Sequence, residues 1–267
     1  MLDYPAGYDF HRSTFRFRRF GDDLASRWAG DGLHRVLRSG LAVRIDAGGV
    51  TAYGDAGPGD AAELRHVLGL ELDRDAFAVA HPGIAARAPG FYPPLMADPF
   101  EMLATAVTAQ QVSLVAACAI RNRVVRRFGR RVEHDGVEWW AFPRAADVAG
   151  ADLSGLGLSG SKIRALSALA AADLDVDGLD DGAVREKLLA LPGIGPWTVD
   201  WFLARCLGRP GAFAAGDLGV RKAVARWASE GADPIWPEPQ VREVCLTFGE
   251  HANLAVHHLL IPDRAAG

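Results

Sequence analysis

Two features of the chain combine residue types able to do chemistry. The first is Leu191-Pro192-Gly193-Ile194-Gly195, two glycines at two-residue spacing between segments with helical patterning. Glycine lets the backbone turn tightly and come close to another surface. A helix then opens near Pro196, and the free N–H groups of a helix start can hold an anion, with a DNA phosphate the natural candidate. The plainer alternative is a tight turn between packed helices. The second is Asp217, set before Leu218-Gly-Val-Arg-Lys-Ala-Val224, where it reads as a helix N-cap. Trp197 and Trp201 lie four apart and would share one helix face. They either line a pocket or fill a core.

Other chemistries find less support. Cys118, Cys206 and Cys245 are the only cysteines and have no C-x-x-C spacing, which argues against zinc, an Fe–S cluster or a disulfide framework. A reducing cytoplasm fits such usage. His257 and His258 sit on a helical stretch and read as packing or surface residues. The net charge of −4 over 267 residues means that nucleic-acid contact would come from a local patch or from backbone amides. Arg121, Arg123, Arg126, Arg127, Arg130 and Arg131 form a basic run that reads more readily as a solvated face than as a phosphate contact. Arg221 and Lys222, one turn past Asp217, are better phosphate candidates. The first residues lack a basic stretch followed by an apolar run, so no secretory signal is expected. The apolar stretch Met102–Ile120 is interrupted by Gln110, Gln111 and Ser113, which favours a buried helix over a membrane span.

The elements that must position these residues fall into two parts. Phe15 and Phe17 alternate with Arg16 and Arg18, the pattern of a half-buried strand over residues 10–20. Leu41–Ile45 and Val50–Tyr53 flank Asp46-Ala-Gly-Gly49 and read as a hairpin. With a helical stretch at Ala61–Leu70, residues 1–88 form a small α+β unit. Residues 81–99 hold seven prolines and glycines and read as a linker. From 89 to 267 the chain reads as helical. Asp98-Pro-Phe-Glu101 is a strong helix start, and that helix is expected to run to Phe128. Further helices are expected at 145–149, 159–171, 181–191, 196–207, 217–229 and 239–260.

The hairpin, extended to Leu-Pro-Gly-Ile-Gly-Pro-Trp-Thr198, resembles that of the helix–hairpin–helix (HhH-GPD) DNA glycosylases, and most of all the AlkA-type 3-methyladenine DNA glycosylases (type II). In that family a catalytic aspartate follows about twenty residues on, which leads to Asp217 in Ala215-Gly216-Asp217-Leu-Gly-Val-Arg-Lys222. The family carries a proline shortly before this aspartate, where this chain has Ala215-Gly216. Asp98-Pro-Phe-Glu with Ala109-Gln-Gln-Val-Ser113, and Leu156-Gly-Leu-Ser-Gly-Ser-Lys-Ile-Arg164, resemble two further family segments. The resemblance covers roughly residues 89–260. It implies a mostly α, two-lobed glycosylase body preceded by a small α+β domain of the AlkA N-terminal, TBP-like kind.

The resemblance also implies an activity: an enzyme that flips an alkylated purine out of double-stranded DNA and hydrolyses its N-glycosidic bond. Asp217 would stabilise the oxocarbenium-like sugar and orient water, unless it is only the helix cap. Bifunctional relatives use a lysine where Trp197 stands, so base removal without strand cutting is expected. Trp197, Trp201 and Leu260 match base-pocket positions, and a cationic methylated purine gains from an aromatic face. Leu260 stands where the family has a tryptophan, and His251-Ala252-Asn253 replaces an aromatic-Arg-Ser pattern. Gln111 matches the residue that fills the gap left by the flipped base, with a surface glutamine as the alternative and Gln110 as a weaker candidate. Gly193, Gly195, Thr198, Arg221 and Lys222 are the expected DNA contacts. No cofactor is implied beyond a structural Na+ or K+ on the carbonyls of Leu189, Leu191 and Ile194. A monomer in the bacterial cytoplasm, on the nucleoid through DNA, is expected. Two alternatives stay open: the same enzyme class acting on hypoxanthine or uracil, and a non-catalytic DNA-binding module.

Overall fold

The computed structural model describes residues 2–19, 21–134, 136–229 and 235–262. Near the N-terminus, α1 (Phe10–Ser13) and α2 (Arg16–Arg19) are single helical turns. They replace the strand expected over residues 10–20. Asp9 caps α1 by accepting from Arg12 N at 2.8 Å, and among the described residues no strand pairs with this segment. The Phe/Arg alternation is satisfied another way: Phe17 packs on the N-terminal core, and the Arg18 guanidinium lies 4.7 Å from the Trp28 ring centre.

Strands β1 (Arg27–Ala29), β2 (Gly32–Val36), β3 (Ala42–Asp46) and β4 (Gly49–Tyr53) form an antiparallel meander in that order. The expected hairpin is present as β3–β4, closed by the pair Asp46–Gly49, with Asp46 Oδ1 accepting from Gly48 N. β2 is absent from the sequence expectations because it is buried at every position and so shows no alternation, and β1 because it is only three residues long. α3 (Pro58–Val67) covers the sheet, and Leu33, Val43, Ile45, Leu64 and Leu68 pack between them.

α4 (Arg74–Ala80) and α5 (Pro82–Ala85) already belong to the second, larger core through Phe77 and Ile84. The proline-rich stretch that follows is irregular but not loose. Phe91, Tyr92, Leu95 and Met96 are buried. Leu95 N donates to the Val67 carbonyl, and Met96 N to that of Arg205. Proline prevents regular pairing here, while apolar side chains still draw the strap inward.

The helix expected from Asp98 to Phe128 is two: α6 (Pro99–Ala109) and α7 (Leu114–Phe128). Between them Gln111 takes φ 56°, and Ser113 caps α7 by accepting from Ala116 N. A hairpin missed from sequence follows, β5 (Arg130–His134) and β6 (Val137–Ala141). Its Trp139 is buried against Val36 and Ala42 of the N-terminal sheet.

The chain continues through α8 (Ala145–Val148), α9 (Gly160–Ala171), α10 (Asp181–Leu189), α11 (Pro196–Arg205), α12 (Leu218–Ala228), α13 (Glu238–Leu246) and α14 (Ala252–Leu259). The single helix expected over 239–260 is thus divided, at Gly249 with φ 55°. Val184, Leu188, Val199, Phe202, Val220 and Val224 join these helices in one core. No helix among the described residues is long and apolar enough to cross a membrane.

Candidate active site

The turn between α10 and α11 has the geometry its sequence dictates. Ile194 N donates to the Leu191 carbonyl at 3.2 Å. Pro192 and Gly193 are the central residues, and Gly193 has φ 77°, a type II turn with the residues it requires. A Cβ on Gly193 would lie 2.7 Å from that of Ala165, so the hairpin presses directly onto α9. Gly195 caps α11 and Pro196 is its first residue. The amides of Gly193, Gly195 and Trp197 have no backbone acceptor among the described residues. Thr198 is buried beside them. The side-chain amide of Gln110 donates to the Gly193 carbonyl at 3.0 Å, tying the α6–α7 break to the hairpin.

Asp217 stands at the start of α12, partly exposed. Its Oδ1 accepts from Gly219 N at 2.8 Å and Val220 N at 3.1 Å. Its Oδ2 accepts from the indole N–H of Trp197 at 3.0 Å and that of Trp201 at 3.2 Å. One oxygen caps the helix and the other joins it to the hairpin's second helix. The cap and the paired tryptophans are therefore one structure. Such a carboxylate is fixed in orientation, since any rotation would break bonds on both sides.

The comparisons with known proteins bear on the family and the fold. Residues 104–244, more than half of the chain, match the model of the HhH-GPD superfamily base excision DNA repair proteins. The chain belongs to this superfamily. Among curated relatives, a Mycobacterium tuberculosis protein described as a probable bifunctional transcriptional activator/DNA repair enzyme AlkA is 38% identical over 178 residues, 62% of this chain and 36% of that protein. The Bacillus subtilis DNA-3-methyladenine glycosylase is 27% identical over 172 residues, 61% of this chain and 56% of that enzyme. The chain thus spans about a third to just over half of the curated relatives' lengths. Among solved structures, a 3-methyladenine DNA glycosylase from Archaeoglobus fulgidus aligns over 99% of this chain and 97% of its own, with TM-score 0.86 and 26% identity. A Clostridium acetobutylicum 8-oxoguanine glycosylase/lyase aligns with TM-score 0.75 at 16% identity over 98% of this chain and 96% of its own, a likeness of fold alone.

Leu260 ends α14 next to Gly219, where its Cδ2 would lie 3.6 Å from an added Cβ. Gln111 is exposed at the α6–α7 break. Arg221 points its Nε at the Trp236 carbonyl, 2.6 Å away, and Lys222 is half-buried. Much of the basic run is structural: Arg123 donates to the Leu156 carbonyl, Arg127 to that of Ser154, and Arg121 is buried in an ion-pair network. Lys162 donates to the Thr108 carbonyl and Lys187 pairs with Asp173.

His257 and His258 are buried, and each places Nδ1 against the carbonyl four residues earlier. They are packing residues, as expected, but His257 also backs the site. Burial and the Arg205 charge hold it well below the ordinary histidine range, so it is neutral. Arg205 itself escaped the sequence reading. Its guanidinium lies 3.8 Å from the Trp201 ring centre. The signal was present: Trp197, Trp201 and Arg205 repeat at four-residue spacing and form one stripe along α11.

Proposed function

We propose that the chain is a monofunctional DNA glycosylase of base excision repair that removes alkylated purines from duplex DNA and leaves an abasic site. The observation that carries this reading is Asp217, a carboxylate locked by a helix cap on one oxygen and by two indoles on the other. It stands beside a hairpin whose free amides suit a phosphate. The names of the relatives support the substrate class.

The chemistry follows from the placement. The hairpin amides and the start of α11 hold the backbone phosphate, with Arg221 and Lys222 adding positive charge nearby. Gln111, fixed by Gln110 on the hairpin, enters the stack as the target base leaves it. Val112, Leu114 and Val115 are exposed at the same break and suit contact with base faces. Trp197, Trp201 and Leu260 receive the flipped base. As the C1′–N bond breaks, Asp217 faces the positive sugar and orients water toward it. A tryptophan at 197, in place of an amine, leaves water as the nucleophile and no imine on the sugar, hence no strand cutting.

Several further assignments belong to the same reading. Residues 1–88 carry the AlkA-type, TBP-like unit in the four strands and α3, with α4 and α5 already packed on the two-lobed body of 89–267. The carbonyls of Leu189 and Ile194 accept no backbone hydrogen bond among the described residues, so with Leu191 they offer oxygen donors suited to a structural Na+ or K+, which would steady the hairpin. The protein acts as a monomer, on the nucleoid.

The test is base release from duplexes containing 3-methyladenine, 7-methylguanine, hypoxanthine or uracil, with Asp217→Asn as control. Release of a methylated purine without strand scission is the expected result. Tight duplex binding with no release would leave only a DNA-binding module, and scission without alkali would overturn the monofunctional assignment.

A further inference from the structure

The stripe on α11 does not end with the tryptophans. One turn beyond Trp201, Arg205 lays its guanidinium over the indole whose N–H holds Asp217, 3.8 Å from the ring centre. Its orientation is built in from behind. The Asn253 side chain donates to the carbonyls of Ala204 and Arg209, both at 2.9 Å, pinning α14 to the end of α11. His257, one turn on, has Nδ1 2.9 Å from the Asn253 carbonyl. That nitrogen therefore carries the hydrogen, and Nε2 of the neutral ring is an acceptor. It takes the Arg205 Nε–H at 3.4 Å. Arg205 thus spends Nε on its support and its flat face on Trp201, while its terminal nitrogens meet no protein acceptor among the described residues. Arg16 adds a second positive charge on this side, and its field reaches both Arg205 and His257.

We propose that Arg205 is a specificity-determining residue of the base pocket, donating hydrogen bonds to neutral lesions that carry acceptor atoms on their edge and favouring them over lesions with a fixed positive charge. The inference rests on the glycosylase reading above and refines its substrate class.

The reason lies in where the electrons go. When the C1′–N bond breaks, its electron pair passes to the base nitrogen. A cationic base becomes neutral and needs no help. A neutral base becomes an anion, and N–H donors on its ring nitrogens or carbonyl oxygens lower the barrier. Water supplies the new C1′–O bond and yields its proton to Asp217; that proton ends on the base that left as an anion, or in solvent when a cationic base has left neutral. Arg205 donates hydrogen bonds without giving up a proton. The same guanidinium covers one face of Trp201, so a cationic base there would meet a like charge in place of a free π face.

The experiment compares single-turnover excision of hypoxanthine and 1,N6-ethenoadenine, both neutral, with 7-methylguanine, which is cationic, in one duplex context. Arg205→Gln should lower the ratio of neutral to cationic excision at least tenfold. Arg205→Lys keeps the charge without the flat stacked fork, and should lower the ratio by a smaller factor. If the glutamine variant does not fold, the lysine variant carries the test. Equal losses on all three lesions, or a greater loss on 7-methylguanine, would reject the role and leave Arg205 as a packing residue. A wild type that excises 7-methylguanine but neither neutral lesion would also reject it, with the glycosylase reading intact. A wild type that releases none of the methylated or neutral bases would overturn that reading itself.

Discussion

Trp201 donates its indole N–H to Oδ2 of Asp217 at 3.2 Å, across from the bond that Trp197 makes to the same oxygen at 3.0 Å. Because Oδ1 is already committed to Gly219 and Val220, the carboxylate accepts on both sides, and no other side chain of this size does so. Asparagine has a single oxygen. If that oxygen caps α12, the amide nitrogen confronts two indole donors. Asp217→Asn should therefore lower stability by about 1–2 kcal/mol while slowing excision by about 10²–10³-fold. Urea denaturation and single-turnover excision measure the two effects separately. Excision at the wild-type rate would reduce Asp217 to a helix cap.

Gln111 has φ 56°, a left-handed conformation that costs a non-glycine residue about 1 kcal/mol. Gln111→Gly should leave the fold as stable as wild type or more so by about that amount. If the side chain fills the gap behind a flipped base, the same variant should excise poorly from duplex and far less poorly from single strands. A parallel loss on both substrates would reject the wedge.

Glu101 is buried between Arg35 and Arg121, with oxygen–nitrogen distances of 3.0 and 2.6 Å. Burial alone would push its carboxyl up, but the two guanidiniums overrule it and hold it below the ordinary range. Arg121 also reaches Asp23 at 3.0 Å, so the network joins the N-terminal sheet to α6 and α7. Glu101→Gln leaves two buried cations undercompensated and should cost about 3–5 kcal/mol. A urea midpoint that falls with an unchanged denaturant slope is the expected signature.

His258, packed against Phe77 and Phe91, is pushed down to about 4 from the ordinary 6.5, chiefly by burial. The fold therefore binds its neutral form. Stability is fully present above pH 6.5 and is lost as pH falls toward 4, by on the order of 3 kcal/mol at the low end. His34 and His257 are shifted in the same direction and add to the loss. His258→Leu should remove one residue's share, so the drop in urea midpoint between pH 7 and 5 becomes smaller. An unchanged drop would show that another group sets the acid sensitivity.

The sequence alone determined what is local. Leu191-Pro-Gly-Ile-Gly195 could form only a tight turn opening onto a helix, because proline and glycine restrict the backbone there directly. Asp217 was legible as a cap, Asp46–Gly49 as a turn, and the two tryptophans as one face of a helix. Tertiary structure decided what depends on distant partners. Gln110 and Gln111 look like mid-helix residues until Gln110 is seen holding the Gly193 carbonyl, a contact 83 residues away along the chain. Residues 10–20 alternate like a strand, yet their described part folds into two helical turns that meet β1 through side chains, Phe10 and Arg18 on Trp28, and not through backbone pairing. β2 carries no clear period, because burial at every position removes the alternation that marks a strand, and in the hairpin that follows α7 only Trp139 is buried, against a sheet about a hundred residues earlier in the chain. Arg205 is the plainest case: its spacing from Trp201 was readable, but its place over the ring depends on Asn253 and His257. Those residues meet it only when α14 packs on α11, and periodicity within one helix carries no information about which other helix will lie against it.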